Sequence, residues 1–188
     1  MSLLIVGLVA FLGVHLVPAF PRARLALVDR MGPQRYKLLF SLASAVGLVL
    51  IVLGFARSGP RVALFEPLPE AIAAAPSAMV IAFVLVAAAN MRGHLRRVLQ
   101  HPMLLGLLIW SGVHLLANGD RAGTVLFGAF LVYAVVDLVS AVARRAVKPF
   151  VPEKKFDVMA VVGGAVLAFV VMTFHRMLFG VPVVPFGV

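Results

Sequence analysis

The amino-acid sequence predicts an all-α integral membrane protein with six transmembrane helices. Three observations predict it. First, 63% of the 188 residues are hydrophobic and only 13% are charged, where a soluble domain has about 45–50% and about 25%. Second, the apolar residues gather into six runs near the length of about 20 residues that a bilayer-crossing helix needs. Third, the basic residues fall in the gaps between runs, concentrated in alternate gaps. The formal net charge of +10 could signal nucleic acid. Its placement in short gaps, with no separate basic domain, fits a membrane surface and no nucleic-acid partner. The chain reads as a single transmembrane domain over residues 1–188, with no loop long enough for a soluble domain. Cysteine is absent, which excludes disulfides, thiolate metal ligands and a cysteine nucleophile.

The first span is expected at Leu3–Phe20. It lacks the basic start of a signal peptide and its positive charges follow the apolar run, so it reads as a retained helix. Pro18 and Pro21 end it, since proline has no N–H to continue a helix, and Pro21–Arg35 is expected to be a loop. The second span, Tyr36–Ala56, opens on Arg35-Tyr36-Lys37, either an interfacial aromatic and basic anchor or a hold for an anionic group. A second long loop, Arg57–Glu70, leads to the third span, Ala71–Ala89. His94, among Arg92, Arg96 and Arg97, reads as a solvated loop residue.

The fourth span, His101–Ala117, starts at an interfacial His101 followed by Pro102, which suits the first turn of a helix. Asn118-Gly119-Asp120 is a tight turn, since all three residues favour turns. In the fifth span, Ala122–Ala143, Asp137 either reaches toward Arg144 or Arg145 or partners a basic group inside the bundle. The sixth span, Asp157–Phe179, carries an interfacial His175 next to Arg176. Alternate gaps hold 13 Lys and Arg against 4 on the other side (Arg57, Arg61, Arg121 and Arg176). The positive-inside rule then puts both termini on the periplasmic side of a bacterial inner membrane.

Ionisable groups inside a span are candidate functional sites. His15 sits in "FLGVHLV" (Phe11–Val17) and His114 in "WSGVHLL" (Trp110–Leu116). The identity GVHL extends backwards at helical spacing, as Gly7, Phe11, His15 and Gly106, Trp110, His114. Residues four apart share a helix face, so each imidazole shares a stripe with an aromatic and a glycine. Asn118 continues the second stripe and is placed to orient His114, as outer partners orient ligand histidines. Gly13 and Gly112 leave room for a bulky group or another helix. Spans one and four run antiparallel, so the shared motif suggests a 3+3 inverted repeat with a site at the interface.

Each histidine alone can be an imidazole bonded to a neighbouring helix. As a matched pair they point to metal or haem, which takes axial histidine and a wide apolar slot. At 1.5 Å per residue the two differ in depth by roughly 10–14 Å, so one iron takes both only if the haem tilts or the span ends shift. P-loop, G-x-S-x-G, G-x-G-x-x-G and His-Glu-x-x-His patterns are absent from the sequence.

Four stretches resemble the NnrU family of small bacterial membrane proteins. They are "GLVAFLGVHLVPAFP" from Gly7, "RYKLLFSLASAVGLVLI" from Arg35, "HPMLLGLLIWSGVHLLANGD" from His101 and "LFGAFLVYAVVD" from Leu126. Together they cover about the first 140 residues. The family is associated by name with nitrite and nitric oxide reduction, and is similar to the plant 15-cis-ζ-carotene isomerase, a membrane enzyme that uses haem b. The resemblance implies haem b with His15 and His114 as the haem-ligand positions; on the helical stripes Phe11 and Trp110 would flank the macrocycle. It also implies cis-to-trans isomerisation of a hydrophobic polyene. The alternative is an accessory role in denitrification, handling haem, electrons or nitric oxide without isomerising anything. Where the plant enzymes carry a cysteine three residues before the second histidine, this chain has Ser111, so a thiolate-to-imidazole ligand switch cannot operate here.

Overall fold

Lipid offers a backbone no hydrogen-bond partner, so an apolar run of spanning length closes its N–H and C=O groups within itself as a helix. The computed structural model describes residues 1–59, 62–180 and 183. In chain order its helices are α1 (Ser2–Leu16), α2 (Pro21–Met31), α3 (Pro33–Ala56), α4 (Pro69–Ala89), α5 (His94–Leu99), α6 (Pro102–Asn118), α7 (Arg121–Ala143), α8 (Lys154–Thr173) and α9 (His175–Phe179). Five apolar helices are long enough to cross a membrane: α1 with the 3-10 turn that follows it, α3, α4, α7 and α8. The sixth apolar helix, α6, has 17 residues. Arg61, counted above among the outer charges, lies outside the described residues.

The connections hold more helix than the sequence reading expected. The stretch Pro21–Arg35 is not a loop: α2 fills most of it and α3 begins at Pro33. Proline was read there as a terminator. It acts instead as an initiator, because its missing N–H is one that the first helical turn leaves unpaired anyway. Pro21, Pro33, Pro69 and Pro102 each open a helix in this way. Between α2 and α3 the chain turns on Gly32 at φ +79°, a left-handed value that glycine adopts without strain. The basic stretch after α4 is also helical, as α5. The expected sixth span is divided, ending as α8 at Thr173 and resuming as the short α9.

The long helices pack as a row: α3 on α1, α1 on α7, α7 on α6, α6 on α4 and α4 on α8. Three of these contacts are made by glycines at which a side chain would have no room. A Cβ on Gly7 of α1 would lie 2.6 Å from the Ile51 amide of α3, and one on Gly47 would lie 2.8 Å from the Phe11 amide. One on Gly54 would run into Leu4. The same holds for Gly106 of α6 against the Ala82 carbonyl at 2.8 Å, and for Gly164 of α8 against Val84 at 2.5 Å. Close backbone approach of this kind replaces the hydrophobic effect, which cannot drive helix association in lipid. At the two ends of the row, apolar side chains stay uncovered, among them Leu42, Val46 and Val49 on α3 and Val162, Val166 and Phe169 on α8. In water so much exposed apolar surface would be anomalous; in lipid it is the expected outer face.

Hydrogen bonds between connections tie both ends of the bundle. At one end the α3–α4 connection is pinned to the α6–α7 turn: Arg121 N donates to Val62 O at 2.9 Å and Leu64 N to Gly119 O at 2.8 Å. That turn is built as the Asn118-Gly119-Asp120 sequence requires. Gly119 takes φ +67°, and the Asp120 carboxylate caps α7 by accepting from Gly123 N at 2.9 Å. At the other end Glu153 N donates to Arg92 O at 2.9 Å, and Ser140 Oγ donates to Ala19 O at 2.8 Å.

The glycine contacts give a first prediction. Gly54→Leu forces α3 away from Leu4 and destabilises the bundle by about 1–3 kcal/mol, the usual range for overpacking. Gly13→Leu, where a Cβ meets nothing within 4 Å, leaves stability unchanged. Thermal unfolding of the two variants in the same detergent or lipid distinguishes them.

Candidate functional site

The repeated GVHL motif yields the same local geometry twice. In α1 the Nδ1 of His15 lies 2.7 Å from the Phe11 carbonyl oxygen, and in α6 the Nδ1 of His114 lies 2.9 Å from the Trp110 carbonyl oxygen. A carbonyl only accepts, so Nδ1–H is the donor in both rings. A neutral imidazole so held carries its free lone pair on Nε2, the arrangement of a metal ligand whose orientation is set from behind. No hydrogen bond reaches either Nε2 among the described residues. Each ring also leans on the aromatic one turn before it, with centroids 4.2 Å apart for His15 and Phe11 and 5.5 Å apart for His114 and Trp110.

The two motifs meet on α7, which lies between α1 and α6. Three aromatics three residues apart on α7, Phe127, Phe130 and Tyr133, form a wall. His114 packs on Phe127 (4.9 Å) and His15 meets the edge of Tyr133 (6.4 Å). Between them, Phe130 touches both Phe11 (6.0 Å) and Trp110 (5.4 Å). The sequence motifs did not single out Phe127, Phe130 or Tyr133. Their spacing of three along one helix was the signal that could have joined them to the site.

The wall also measures the stagger of the histidines. Phe127 and Tyr133 are six residues apart on α7, so the two imidazoles sit about 9 Å apart along its axis at about 1.5 Å per residue. Two imidazoles on one metal bring their nitrogens to roughly 4 Å, at about 2 Å per bond. One iron shared by both therefore needs that offset taken up by a helix shift, whereas one imidazole per iron needs none.

Several expected neighbours take other roles. Asn118 does not reach the His114 ring; its side-chain amide donates to the His114 backbone carbonyl at 2.7 Å, because helical side chains lean toward the N-terminus and the His114 ring lies over the Trp110 turn. Gly13 and Gly112 have open space rather than a packed helix beside them. Each precedes its histidine by two residues, roughly 200° around the helix, and so faces away from it. Ser111 is fully buried, and its hydroxyl donates to Leu107 O at 2.7 Å, not to the histidine. Asp137 pairs with neither Arg144 nor Arg145. It accepts from Tyr133 Oη at 3.2 Å, one turn back along the wall, while Arg144 Nε donates to Ser140 Oγ. His94 is exposed as expected but is not in a loop: it opens α5, with its ring on Asp157 at 2.8 Å.

His101 occupies the N-cap position of α6 as its sequence suggested, and its Nε2 is buried without a hydrogen bond. His175 opens α9 with its ring 4.7 Å from Phe179. Near His15, a second group of side chains extends toward the α2–α3 corner. Phe40 lies 5.1 Å from His15, Tyr36 lies 6.2 Å from Phe40, and the Arg24 guanidinium sits 5.9 Å from the Tyr36 ring. The Tyr36 hydroxyl is buried and has no hydrogen-bond partner, which costs free energy unless something supplies one. Among the described residues no three His, Asp or Glu side chains cluster as a metal site.

Phe130 is the ring that joins the two motifs. Phe130→Ala removes its contacts with Phe11 and Trp110 and lowers stability by about 2 kcal/mol, below the range for a fully buried phenylalanine because Phe130 is only half-buried. Unfolding followed by the emission of Trp110, the only tryptophan, measures this directly. A change under about 0.5 kcal/mol shows that the aromatic wall does not couple the helices.

No curated protein and no solved structure matches the chain. The family model described as NnrU protein matches residues 3–183. The match therefore runs past the first 140 residues that carry the motif resemblance, through α8 and α9. The chain belongs to the NnrU family.

Proposed function

We propose that this protein is a six-span inner-membrane haem protein, with haem b held against the aromatic wall through the imidazoles of the GVHL motifs. The observation that carries the reading is the duplicated geometry of His15 and His114. Each has Nδ1 fixed by the carbonyl four residues back, a free Nε2, and an aromatic ring alongside. His15 has the stronger case as the primary ligand, because an anion anchor stands near it. The orphaned Tyr36 hydroxyl and the Arg24 guanidinium offer a hydrogen bond and a charge to a propionate, as the Arg35-Tyr36-Lys37 sequence suggested. His114 offers a second Nε2 along the same wall, and Phe11 and Trp110 supply flat apolar contact. In this arrangement α6 crosses the bilayer despite its 17 residues, since the connections at its two ends are bonded to opposite ends of the bundle. Both termini then face the periplasm, with the basic α2, α5 and 144–155 segments in the cytoplasm.

When bound, iron supplies reversible one-electron and Lewis-acid chemistry to a ligand in the apolar slot. The protein's part is to fix the imidazole tautomer, exclude water and present aromatic surface on which a long apolar polyene can lie. That supports cis-to-trans isomerisation of a carotenoid-like substrate. Ser111 supports the second reading, an accessory role in nitrite and nitric oxide reduction. Its hydroxyl is turned away to the helix backbone, so the chain has no second ligand to exchange at that position.

Protein purified from haem-replete cells is expected to show a Soret band. Added haemin should quench the emission of Trp110, whose ring lies 5.5 Å from that of His114. His15→Ala should weaken haem binding at least about tenfold, the lower end of what losing even an outer partner of a ligand costs. The spectrum of His114→Ala reports whether one imidazole or two hold the iron. A colourless wild type whose Trp110 emission does not respond to haemin overturns the reading. Turnover of a cis-polyene with reductant supports isomerisation, and nitric oxide binding without turnover supports the accessory role.

A further inference from the structure

The helix α5 and the first two turns of α8 enclose a cleft of about 570 Å³ that the haem reading does not use. Its walls are Leu95, Val98 and Leu99 on one side and Val158, Val161 and Val162 on the other, with His94 and Asp157 at its rim. Val98 is 77% exposed and Val158 is 62% exposed. The cleft is open to one side, and an occupant lying in it meets apolar side chains of both helices.

The charges at its rim are unequal in what they leave free. Asp157 is fully engaged: it accepts from His94 N, Leu95 N and His94 Nδ1 at 2.9, 2.9 and 2.8 Å. Glu153 is paired with Lys155 at 2.7 Å. Lys154 and Arg92 are exposed and have no acidic partner among the described residues. Lys154 shares a stripe with Val158, Val161 and Val162, at spacings of four, seven and eight residues, and helical side chains lean toward the N-terminus. It therefore continues the apolar stripe one turn before Val158, at the N-terminal end of α8. The Arg92 backbone lies beside the same end of α8, where its carbonyl accepts from Glu153 N at 2.9 Å.

We propose that this cleft binds one anionic phospholipid. An acyl chain lies between Val98 and the Val158–Val162 stripe, and the phosphate meets Lys154 and Arg92. The occupant is a lipid and not a soluble anion, since the larger part of the site is apolar and lies at the end of a spanning helix. It is anionic because the two segments that flank the cleft carry Arg92, Arg96, Arg97, Lys154 and Lys155 against only Glu153 and Asp157. Juxtamembrane basic residues act on anionic lipid in this way at about 1 kcal/mol each, close to a fivefold effect. The site is independent of haem binding.

Native mass spectrometry of the full-length protein tests this, using equal amounts of phosphatidylglycerol and phosphatidylcholine of the same chain length. One phosphatidylglycerol is expected to stay bound preferentially and to raise the unfolding temperature. Lys154→Glu and Arg92→Glu should each reduce that preference about fivefold or more while the protein stays folded. Val161→Trp, which fills the cleft, should abolish retention of both lipids. Equal retention of the two lipids, or unchanged retention in Val161→Trp, overturns the proposal. So does equal stabilisation by inorganic phosphate alone, or occupation of the cleft by a second copy of the chain.

Discussion

The structure rests on backbone approach between helices at glycine. Lipid makes each apolar run a helix but gives those helices no reason to associate, because the solvent is as apolar as the side chains. What holds α1 to α3, α6 to α4 and α8 to α4 is contact so close that Gly7, Gly47, Gly54, Gly106 and Gly164 have no space for a Cβ. The positions of the histidines follow from this. Gly7 and Gly106 are also the first residues of the two stripes that carry His15 and His114. The same glycines that lock α1 and α6 against their outer neighbours therefore set the faces these helices turn toward α7.

That arrangement explains why two half-buried imidazoles persist in an apolar bundle. A lone histidine in lipid must satisfy one ring nitrogen, and the cheapest partner is the carbonyl one turn back on its own helix. This leaves the second nitrogen uncommitted without a helix neighbour to take it. The aromatic wall on α7 then gives both rings a common apolar background, with an approximate offset of 9 Å between them.

The sequence disclosed the membrane class and the six apolar runs because their signal is additive over about 20 residues. It singled out His15 and His114 as candidates because two identical tetrapeptides on equivalent stripes stand out against a simple background. It concealed α2 and α5, whose short amphipathic pattern is interrupted by charge, and it misread Pro21 because a proline marks either end of a helix. It concealed the role of Phe127, Phe130 and Tyr133, since aromatics in a span carry no local sign of what they face. It could not disclose that Trp110 O, and not Asn118, fixes the His114 ring. That choice depends on the rotamer and not on residue spacing. The stagger was legible in outline from depth alone, and the α7 contacts made it specific.

Both imidazoles hold their proton on Nδ1 toward a backbone carbonyl, and no hydrogen bond reaches either Nε2 among the described residues. Solid-state ¹⁵N NMR of histidine-labelled protein in lipid bilayers, with and without diamagnetic zinc protoporphyrin, reads this at the atoms concerned. Nδ1-protonated neutral rings are expected for His15 and His114, with a shift of the Nε2 resonance of at least one of them on adding the porphyrin. Rings protonated on Nε2, or Nε2 resonances that do not move, would contradict it.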